Sequence, residues 1–424
     1  VLSISGVVTA TTATATDRGI VLAAGTSATG VTVNGGGDTG GNAKVSITGS
    51  LSAGDGGTAA NSGSVEIRAL DTISGSAAIT AADTLVSASA NGNVSHTGAL
   101  ESTGGDTTLS AAAGTVEASG GLTVGGNYAV TAQDFLAGAL APNFGAGTTN
   151  DFTITDTAGG ISLGTLSAPG TLSVTALNGG TITLAGGALA STNEAVALTA
   201  AAGISVAGVS TIVSAAGQTL TGPGDLGADL TLTSSGGGAI VINGTVDGAS
   251  NLVVNTGGAT TFAGAIGVGT ALASLTTDAG GSTQVNGGSV TTTGNQSYND
   301  NVSIDESTTF SGVDGSFAGT LTGTGTSDLT LSFSGATSLQ SVSNIEDLLS
   351  NGGGTTLLNG NVSTSGGQNY ADAVTLGADV TLASSGNGAI TLASTVGGAQ
   401  ALTVNTGGTT TFGGAVSITA LATD

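Results

Sequence analysis

Two acidic stretches contain the side chains of this chain that are best suited to chemistry. Asp300, Asp305 and Glu306 lie in NDNVSIDES, and Glu346 is followed by Asp347. Cleavage of a glycosidic bond needs two carboxyl groups about 5–9.5 Å apart beside a sugar-binding cleft. A polysaccharide lyase also needs a basic residue, and the chain has no Arg or Lys after position 68. The sequence therefore predicts no catalytic residues, with a polysaccharide-active enzyme as the alternative function.

His96, in NVSHTGAL, is the only histidine of the chain. Residues of alternating character flank it, so we expect a surface or ladder position on a strand. Nucleophilic catalysis needs a base that a third group holds in place, and no G-x-S-x-G stretch in a strand–turn–helix setting stands out. Glycine-rich stretches such as SGGGAIVINGT lack the Gly-Lys-Ser/Thr of a phosphate-binding loop.

Oxygen ligands for Ca²⁺ are plentiful, but their spacing is not that of a calcium site. Asp38 in GGGDTGGN and Asp314 in SGVDGS are isolated fragments, and the calcium-binding nonapeptide does not repeat. Because Ca²⁺ takes six to eight converging oxygens, we expect both aspartates to be solvated loop residues. The absence of Cys excludes disulfides and thiolate metal sites. No metal site and no cofactor are predicted, with weak Ca²⁺ binding as the one alternative.

Threonine is abundant in short runs, including TTATATD from Thr11 and TTTF from Thr409. Such runs could form hydroxyl ladders of the kind that ice-binding solenoids use. In those proteins a Thr-x-Thr unit recurs in every coil, whereas here its spacing drifts. An ice- or mineral-binding solenoid is therefore a further alternative, and outward threonines also simply suit β strands.

Charge on this 424-residue chain is sparse and one-sided, with 27 acidic residues against three basic ones and a net charge of −24. Such a surface repels nucleic acids and anionic membranes, and no stretch approaches the ~20 apolar residues of a membrane helix. We expect neither a nucleic-acid partner nor membrane insertion. The chain does not begin with Met and its repeats run up to Asp424, which suggests a piece of a longer or processed chain.

The elements that would position all these side chains come from an internal repeat. LTVNTGGTTTF begins at Leu402, LVVNTGGATTF at Leu252 and the more divergent LTLSFSGATSL at Leu329, so the three copies are almost evenly spaced. A second landmark follows nearly the same period, since Gln218, Gln296 and Gln368 recur at similar steps. A period shared by two independent landmarks is typical of a repeat protein.

Each repeat consists of short strands and tight corners. Leu402 and Val404 alternate with Thr403, which is the period-two pattern of a strand, and Asn405 with the following Thr-Gly-Gly forms a turn. This pattern predicts an all-β fold, a parallel β-helix (β-solenoid) with about three short strands and roughly 19–27 residues per coil. Three coils would then make one superrepeat.

The regularity of the repeat divides the chain into two regions. Residues 1–217 are predicted to form irregular β-solenoid coils, with an aromatic loop excursion near 122–160. Residues 218–424 are predicted to form regular superrepeats with a period of about 72 to 78, and one continuous rod is expected. SLQSVSNIEDLLSNGGG looks briefly helical, but Leu348 aligns with Leu275 at a strand position, so we expect the repeat to override this propensity.

In a parallel solenoid, equivalent residues of successive coils stack in columns about 4.8 Å apart. We therefore expect Phe262 and Phe412 to share one column. Asn255 and Asn405 are expected at equivalent corners, where amide side chains can bond along the ladder. Because the coil ends leave unpaired backbone groups, we predict end-to-end self-association or continuation in a longer chain.

The stretches NTGGTTTF, GQNYADAVTLGADVTL and GNGAITLAS resemble the repeats of giant bacterial surface proteins. These are the filamentous-haemagglutinin-like β-helix proteins, autotransporter passenger domains and related β-strand repeat adhesins. The resemblance covers residues 218–424 well and residues 1–217 more loosely. It implies a secreted, right-handed parallel β-helix that forms a cell-surface structural or adhesive fibre and contacts host-cell, neighbouring-cell or glycan surfaces. The repeat carries no catalytic residue that could be transferred to this chain.

Overall fold

The computed structural model describes residues 6–9, 18–22, 26–28, 31–35, 43–47, 51–53, 65–69, 71–81, 84–135, 143–144 and 150–424. All regular secondary structure of these residues is β strand. None of them forms a helix with the length and apolar character that a membrane crossing requires. The contacts divide the chain into two compact units, unit 1 of residues 1–204 and unit 2 of residues 205–424.

Unit 1 contains mostly short strands. The strands are β1 Gly6–Thr9, β2 Arg18–Leu22, β3 Thr26–Ala28, β4 Val31–Gly35, β5 Ala43–Ile47, β6 Leu51–Ala53, β7 Val65–Ala69, β8 Ile73–Gly75, β9 Ile79–Ala81, β10 Leu85–Ser89, β11 Val94–His96, β12 Leu100–Ser102, β13 Thr107–Ala118, β14 Leu122–Val124, β15 Tyr128–Phe135, β16 Asn143–Phe144, β17 Phe152–Asp156, β18 Ile161–Leu163, β19 Leu166–Ala168, β20 Leu172–Ala176, β21 Thr181–Leu184, β22 Gly187–Ser191, β23 Val196–Ala200 and, reaching the unit boundary, β24 Gly203–Val206.

Unit 2 continues the same strand lengths with greater regularity. The strands are β25 Ser210–Ser214, β26 Gln218–Thr221, β27 Gly224–Leu226, β28 Leu230–Ser234, β29 Ile240–Ile242, β30 Val246–Asp247, β31 Asn251–Thr256, β32 Ala259–Phe262, β33 Ser274–Thr277, β34 Ser282–Val285, β35 Ser289–Thr291, β36 Gln296–Tyr298, β37 Asn301–Ile304, β38 Thr308–Gly312, β39 Gly315–Phe317, β40 Leu321–Thr322, β41 Leu329–Phe333, β42 Ala336–Leu339, β43 Val342–Ile345, β44 Leu348–Ser350, β45 Thr355–Leu358, β46 Val362–Thr364, β47 Gln368–Tyr370, β48 Ala373–Leu376, β49 Val380–Ser384, β50 Ile390–Leu392, β51 Val396–Gly397, β52 Ala401–Thr406, β53 Thr410–Phe412, β54 Val416–Ser417 and β55 Ala420–Thr423.

Strands of successive coils pair in parallel, which confirms the predicted β-solenoid in each unit. In unit 2, Leu230 pairs with Leu252, and Leu252 pairs with Leu275, so these leucines hold equivalent places in three successive coils. Coil length varies along this side, and a shorter coil joins Thr356 to Val374. Unit 1 has the same arrangement, with β10 and β11 pairing with the two halves of the long strand β13.

The alternation along each strand decides which side chains fill the coil. In β28, Leu230, Leu232 and Ser234 are buried while Thr231 and Thr233 remain half-exposed. Leucine, isoleucine and valine dominate the buried positions, and burial of each such side chain contributes on the order of 1.5–3 kcal/mol. The interior is a narrow apolar core that runs through each stack of coils.

Aromatic side chains widen this core at defined coils. In unit 2 the rings of Tyr298 and Phe317 stack at 5.0 Å, and Phe310 meets Phe317 edge-on at 5.2 Å. In unit 1 Tyr128 stacks on Phe152 at 5.0 Å, with both rings buried. The aromatic excursion predicted near residues 122–160 lies partly outside the described residues, because 136–142 and 145–149 are not among them. Its two outer aromatics are core residues.

The sequence suggested that one superrepeat contains three coils, and this prediction is wrong. Eleven strand positions separate Leu252 from Leu329, counting the isolated bridge at Ile266, and eleven separate Leu329 from Leu402. Three strands make one coil in unit 2, so one superrepeat contains three and two-thirds coils. The observed number exceeds three because each coil is shorter than one-third of the period. One period therefore does not contain a whole number of coils.

This fractional period moves equivalent residues to different sides of the solenoid. Phe262 pairs with Ile242 and Val285 on one side, whereas Phe412 pairs with Leu392 on another. The expectation that Phe262 and Phe412 share a column is therefore wrong. Gln218, Gln296 and Gln368 likewise lie on three different sides. Each superrepeat returns its sequence one-third of a turn away from the previous copy.

Two smaller expectations had different outcomes. The helix-like stretch after Ser338 forms strands β43 and β44, and Leu348 is a buried strand residue, as predicted. Asn255 and Asn405 are strand residues rather than corner residues, and their lateral neighbours are Thr233 and Ala383. The expectation that the two asparagines lie at equivalent corners is therefore wrong.

Candidate functional site

The acidic stretch around β37 does not bring its carboxylates together. Asp300 precedes the strand and Asp305 follows it, which separates their Cα atoms by roughly 16 Å at about 3.3 Å per residue. Asp300 is buried, whereas Asp305 and Glu306 are exposed. This geometry differs from the carboxylate pair of a glycosidase, whose two groups lie about 5–9.5 Å apart across one cleft.

Asp300 is instead part of the coil interior. Thr277 Oγ1 donates to Asp300 Oδ1 at 3.1 Å, and Thr283 Oγ1 lies 2.9 Å from both carboxylate oxygens. Burial raises the pKa of Asp300, and the hydrogen bonds from Thr283 and Thr277 oppose this shift. The carboxylate therefore joins neighbouring strands from inside.

A second buried aspartate occurs one repeat period later and has the same kind of role. Asp372 accepts from Ser350 Oγ at 3.1 Å and from the amides of Gly352 and Gly353 at 3.1 and 2.8 Å. It lies just after Gln368, at the same spacing at which Asp300 follows Gln296. The repeat thus places a buried carboxylate at corresponding points of two superrepeats.

Glu346 and Asp347 lie exposed at the corner after β43. The amide of Asp347 donates to Asp328 Oδ1 at 3.2 Å, and the amide of Gly367 donates to Asp347 Oδ1. Asp347 therefore links the coil before it to the coil after it. In the second acidic stretch, Asp347 therefore has a structural role at a corner, whereas Asp300 of the first has one in the coil interior.

The same corner bond recurs along both units and was not anticipated from the sequence. A corner Asp or Asn accepts, through its Oδ1, the backbone N–H of the residue one coil later. Such bonds join Asp106 to Asn127, Asn127 to Asp151, Asp151 to Thr171, Asp229 to Asn251, Asp314 to Ala336, Asn361 to Thr381 and Asp379 to Ala401, at 2.7–2.9 Å. The sequence signal was available in retrospect, as an Asp or Asn just before a strand.

Of the two aspartates considered as calcium ligands, Asp314 makes such a corner bond. Asp314 accepts the Ala336 amide at 2.7 Å, and the hydrogen bonds from Asn251 lower the pKa of Asp229, which keeps that carboxylate ionised. Asp38 lies outside the described residues. Across the part of the chain that the structure describes, no three His, Cys, Asp or Glu side chains converge as metal ligands would.

His96 lies inside unit 1, in a ladder position but not on the surface. Its side chain is fully buried, and its Nε2 lies 3.0 Å from Ser87 Oγ. The other ring nitrogen, Nδ1, has no hydrogen-bond partner among the described residues. Burial lowers the pKa of His96 to about 4. The pair is a Ser–His contact without solvent access, because Ser87 is buried as well.

Buried glutamines form the most regular polar cluster of unit 2. Gln296 Nε2 donates to the carbonyls of Val290 and Ser311 at 3.1 and 2.8 Å, while Tyr298 Oη donates to Gln296 Oε1 at 3.1 Å. The arrangement spans two neighbouring coils, so it fixes their spacing from within.

Of the other two copies of this cluster, one keeps the Tyr–Gln bond and one lacks it. Gln368 repeats the arrangement, with Tyr370 Oη donating to Gln368 Oε1 at 3.0 Å. In the first copy Leu220 stands where the others have tyrosine, and Gln218 Oε1 has no partner among the described residues. The sequence showed these glutamines as landmarks of the period but not their role in the core.

On one outer side of unit 2, the strands themselves carry no charged side chain. The strands β25, β28, β31, β33, β36, β39, β42, β45 and β48 pair in this order and contain no Asp, Glu, Lys or Arg. Their central outward positions form a single column that we call the hydroxyl column, seven of whose nine side chains are Thr or Ser. Its members are Thr211, Thr231, Val253, Thr276, Ser297, Ser316, Ser338, Leu357 and Thr375.

Comparison of the chain with protein-family models, with characterised proteins and with solved structures finds no match. The corner and core carboxylates with hydrogen bonds between coils hold those coils together, and the hydroxyl column presents hydroxyl groups on one outer side. Hydroxyls both donate and accept hydrogen bonds, so the hydroxyl column offers a row of donors and acceptors to a neutral surface.

Proposed function

We propose that this chain is a structural and adhesive component of a bacterial extracellular fibre or giant surface adhesin, without a catalytic role. The observation that carries the proposal is the hydroxyl column on an otherwise strongly acidic chain. Strand pairing fixes its hydroxyls about 4.8 Å apart, so many weak contacts can act together along one partner.

A net charge of −24 favours neutral partners over anionic ones. We therefore propose a neutral polysaccharide surface as the binding partner of the hydroxyl column. Aromatic side chains, which commonly stack on sugars, offer little in unit 2, because Tyr298, Tyr370, Phe262, Phe310, Phe317 and Phe333 are all buried. Hydrogen bonding along the column would then supply the contact.

Sedimentation with microcrystalline cellulose or chitin, at several salt concentrations, tests this proposal. We expect the chain to co-sediment with the neutral polymers and not with cross-linked alginate, and to release no new reducing ends. The double variant Ser297→Glu/Ser316→Glu should lose binding, whereas the control Ala279→Glu/Ala318→Glu, which changes residues outside the named strands, should retain it. Release of sugar would instead support the polysaccharide-active enzyme and contradict our proposal.

The hydroxyl column also favours one second candidate, an ice-binding solenoid. The seven hydroxyl side chains of the column support it, while Val253 and Leu357 interrupt the column. A thermal-hysteresis measurement separates the two candidates. Ice-growth inhibition that Ser297→Glu/Ser316→Glu abolishes, without polysaccharide binding, would replace the adhesive proposal.

A further inference from the structure

The geometry around His96 points to an acid-sensitive coil in unit 1. We propose that proton uptake by this imidazole opens the coil formed by β10 to β12, so that mild acid loosens unit 1 at one defined place. The proposal concerns regulation of the fold and does not depend on the adhesive function.

First, the His96 ring fits closely within its column of stacked residues. His96 pairs with Gly75 of the preceding coil and Ala118 of the next, and Gly75 pairs with Ile47. A Cβ at Gly75 would lie 2.5 Å from His96 Nδ1. The ring therefore occupies the space that the missing side chain of Gly75 leaves, and the core is closed around it.

The second step is the hydrogen bonding of the ring. A neutral imidazole has one donor and one acceptor nitrogen, whereas a protonated one has two donors. Ser87 Oγ can serve Nε2 in either state, at 3.0 Å. Nδ1 has no partner among the described residues, so protonation would leave a buried N–H without an acceptor and a buried positive charge. Such a charge is costly unless it is paired.

The third step is the charge around the ring. His96 packs against β8, β10 and β13, and of these only β13 carries a charged residue, Glu117. Glu117 lies on the outer surface, where it accepts from Ser95 Oγ at 3.0 Å. Tyr128 on β15, which pairs with β13, stays neutral because burial raises its pKa. No described carboxylate on these strands therefore faces the imidazole to stabilise its charge.

The direction of the pH effect follows from these contacts. Burial lowers the pKa of His96 to about 4 in the closed coil, while a solvated histidine has a pKa of about 6.5. The open coil therefore binds more protons between these values, and the closed coil loses stability as the pH falls through this window. Opening should increase about tenfold per pH unit, up to about 300-fold over the window.

The single histidine makes a direct test possible. In the full chain, the Hε1 resonance of His96 is followed by NMR from pH 8 to pH 4, and amide protection of β11 is measured over the same range. We expect no titration of the folded-state resonance near pH 6.5, and a loss of β11 protection of about tenfold per pH unit below it. A folded-state resonance that titrates near pH 6.5 would overturn the proposal.

The variant His96→Gln provides the matched comparison, since it keeps a polar side chain that cannot be protonated in this range. We expect β11 protection in this variant to be independent of pH between 6.5 and 4, while the carboxylates titrate as in the wild type. An equal acid dependence in both proteins would also overturn the proposal. Should the variant fail to fold, the wild-type titration decides the question alone.

Discussion

The buried Tyr–Gln hydrogen bonds of unit 2 should each contribute to the local stability of their coils. Tyr370→Phe removes the hydroxyl that donates to Gln368 Oε1 at 3.0 Å, with both residues buried. The ring remains in place, so packing changes little. The variant leaves a buried acceptor without a donor, which costs about 1–3 kcal/mol. Tyr298→Phe should behave alike, because it breaks the equivalent 3.1 Å bond to Gln296.

Amide exchange is the suitable assay, because repeat proteins open locally and a global midpoint averages over coils. A loss of about 1–3 kcal/mol corresponds to about 5- to 150-fold faster exchange at the amides of β47. Exchange in strands several coils away should remain unchanged, since a solenoid coil contacts only its neighbours.

Tyr128 supplies the matched control. Its hydroxyl is buried and has no hydrogen-bond partner among the described residues. Tyr128→Phe therefore removes an unsatisfied group and should leave unit 1 unchanged or more stable. The reasoning would be refuted if Tyr370→Phe and Tyr128→Phe had the same effect on local protection.

Three other variants test separate parts of the structure. Asp314→Ala removes the acceptor of the Ala336 amide and should cost about 0.5–1.5 kcal/mol, measured by exchange of that amide; unchanged exchange would contradict the corner bond. Burial raises the pKa of Asp300, so the contribution of this residue to stability falls as the pH rises above about 4. The stability of Asp300→Asn, relative to that of the wild type, should therefore increase from pH 4 to pH 7. A constant difference between the urea midpoints of the two proteins would argue against this. Gly75→Ala should cost about 1–3 kcal/mol because the added Cβ meets His96 Nδ1 at 2.5 Å; in a His96→Ala background this cost should largely disappear, and an equal cost there would exclude the clash.

Much of the fold could be predicted from the sequence because it depends on local alternation. Leu402, Thr403 and Val404 show the period of two, and the structure has them buried, half-exposed and buried in β52. Alternation also outweighed the helix-like appearance of the residues around Leu348. Each of these outcomes follows from the two faces of a single strand.

The way in which the strands assemble into coils was harder to predict from the sequence. Leu252, Leu329 and Leu402 belong to three sides of the solenoid, although their sequences are alike. The period alone does not say how many coils it spans, because coil length depends on every corner between the strands. Because the coils are slightly shorter than one-third of the period, equivalent residues of successive superrepeats lie in different columns.

The surroundings of the candidate site residues were equally hard to predict from the sequence. Asp300 and Asp305 are close in sequence, but the sequence does not reveal that one faces the core and the other faces solvent across a strand. Asp314 was expected to be a solvated loop residue, and its bond to the Ala336 amide depends on a partner one coil away. Hydrogen bonds between coils join residues that are distant in sequence, and only the register reveals them.

A distance measurement on unit 2 tests the central claim of parallel stacked coils most directly. The chain has no cysteine, so spin labels can be placed on the hydroxyl column at Thr231, Ser316 and Thr375 as two pairs. Four coils separate Thr231 from Ser316 and seven separate it from Thr375. The account predicts electron–electron distances of about 19 and 34 Å, at a constant spacing of about 4.8 Å per coil. Distances that do not increase in this proportion, or a shorter separation for the second pair, would contradict it.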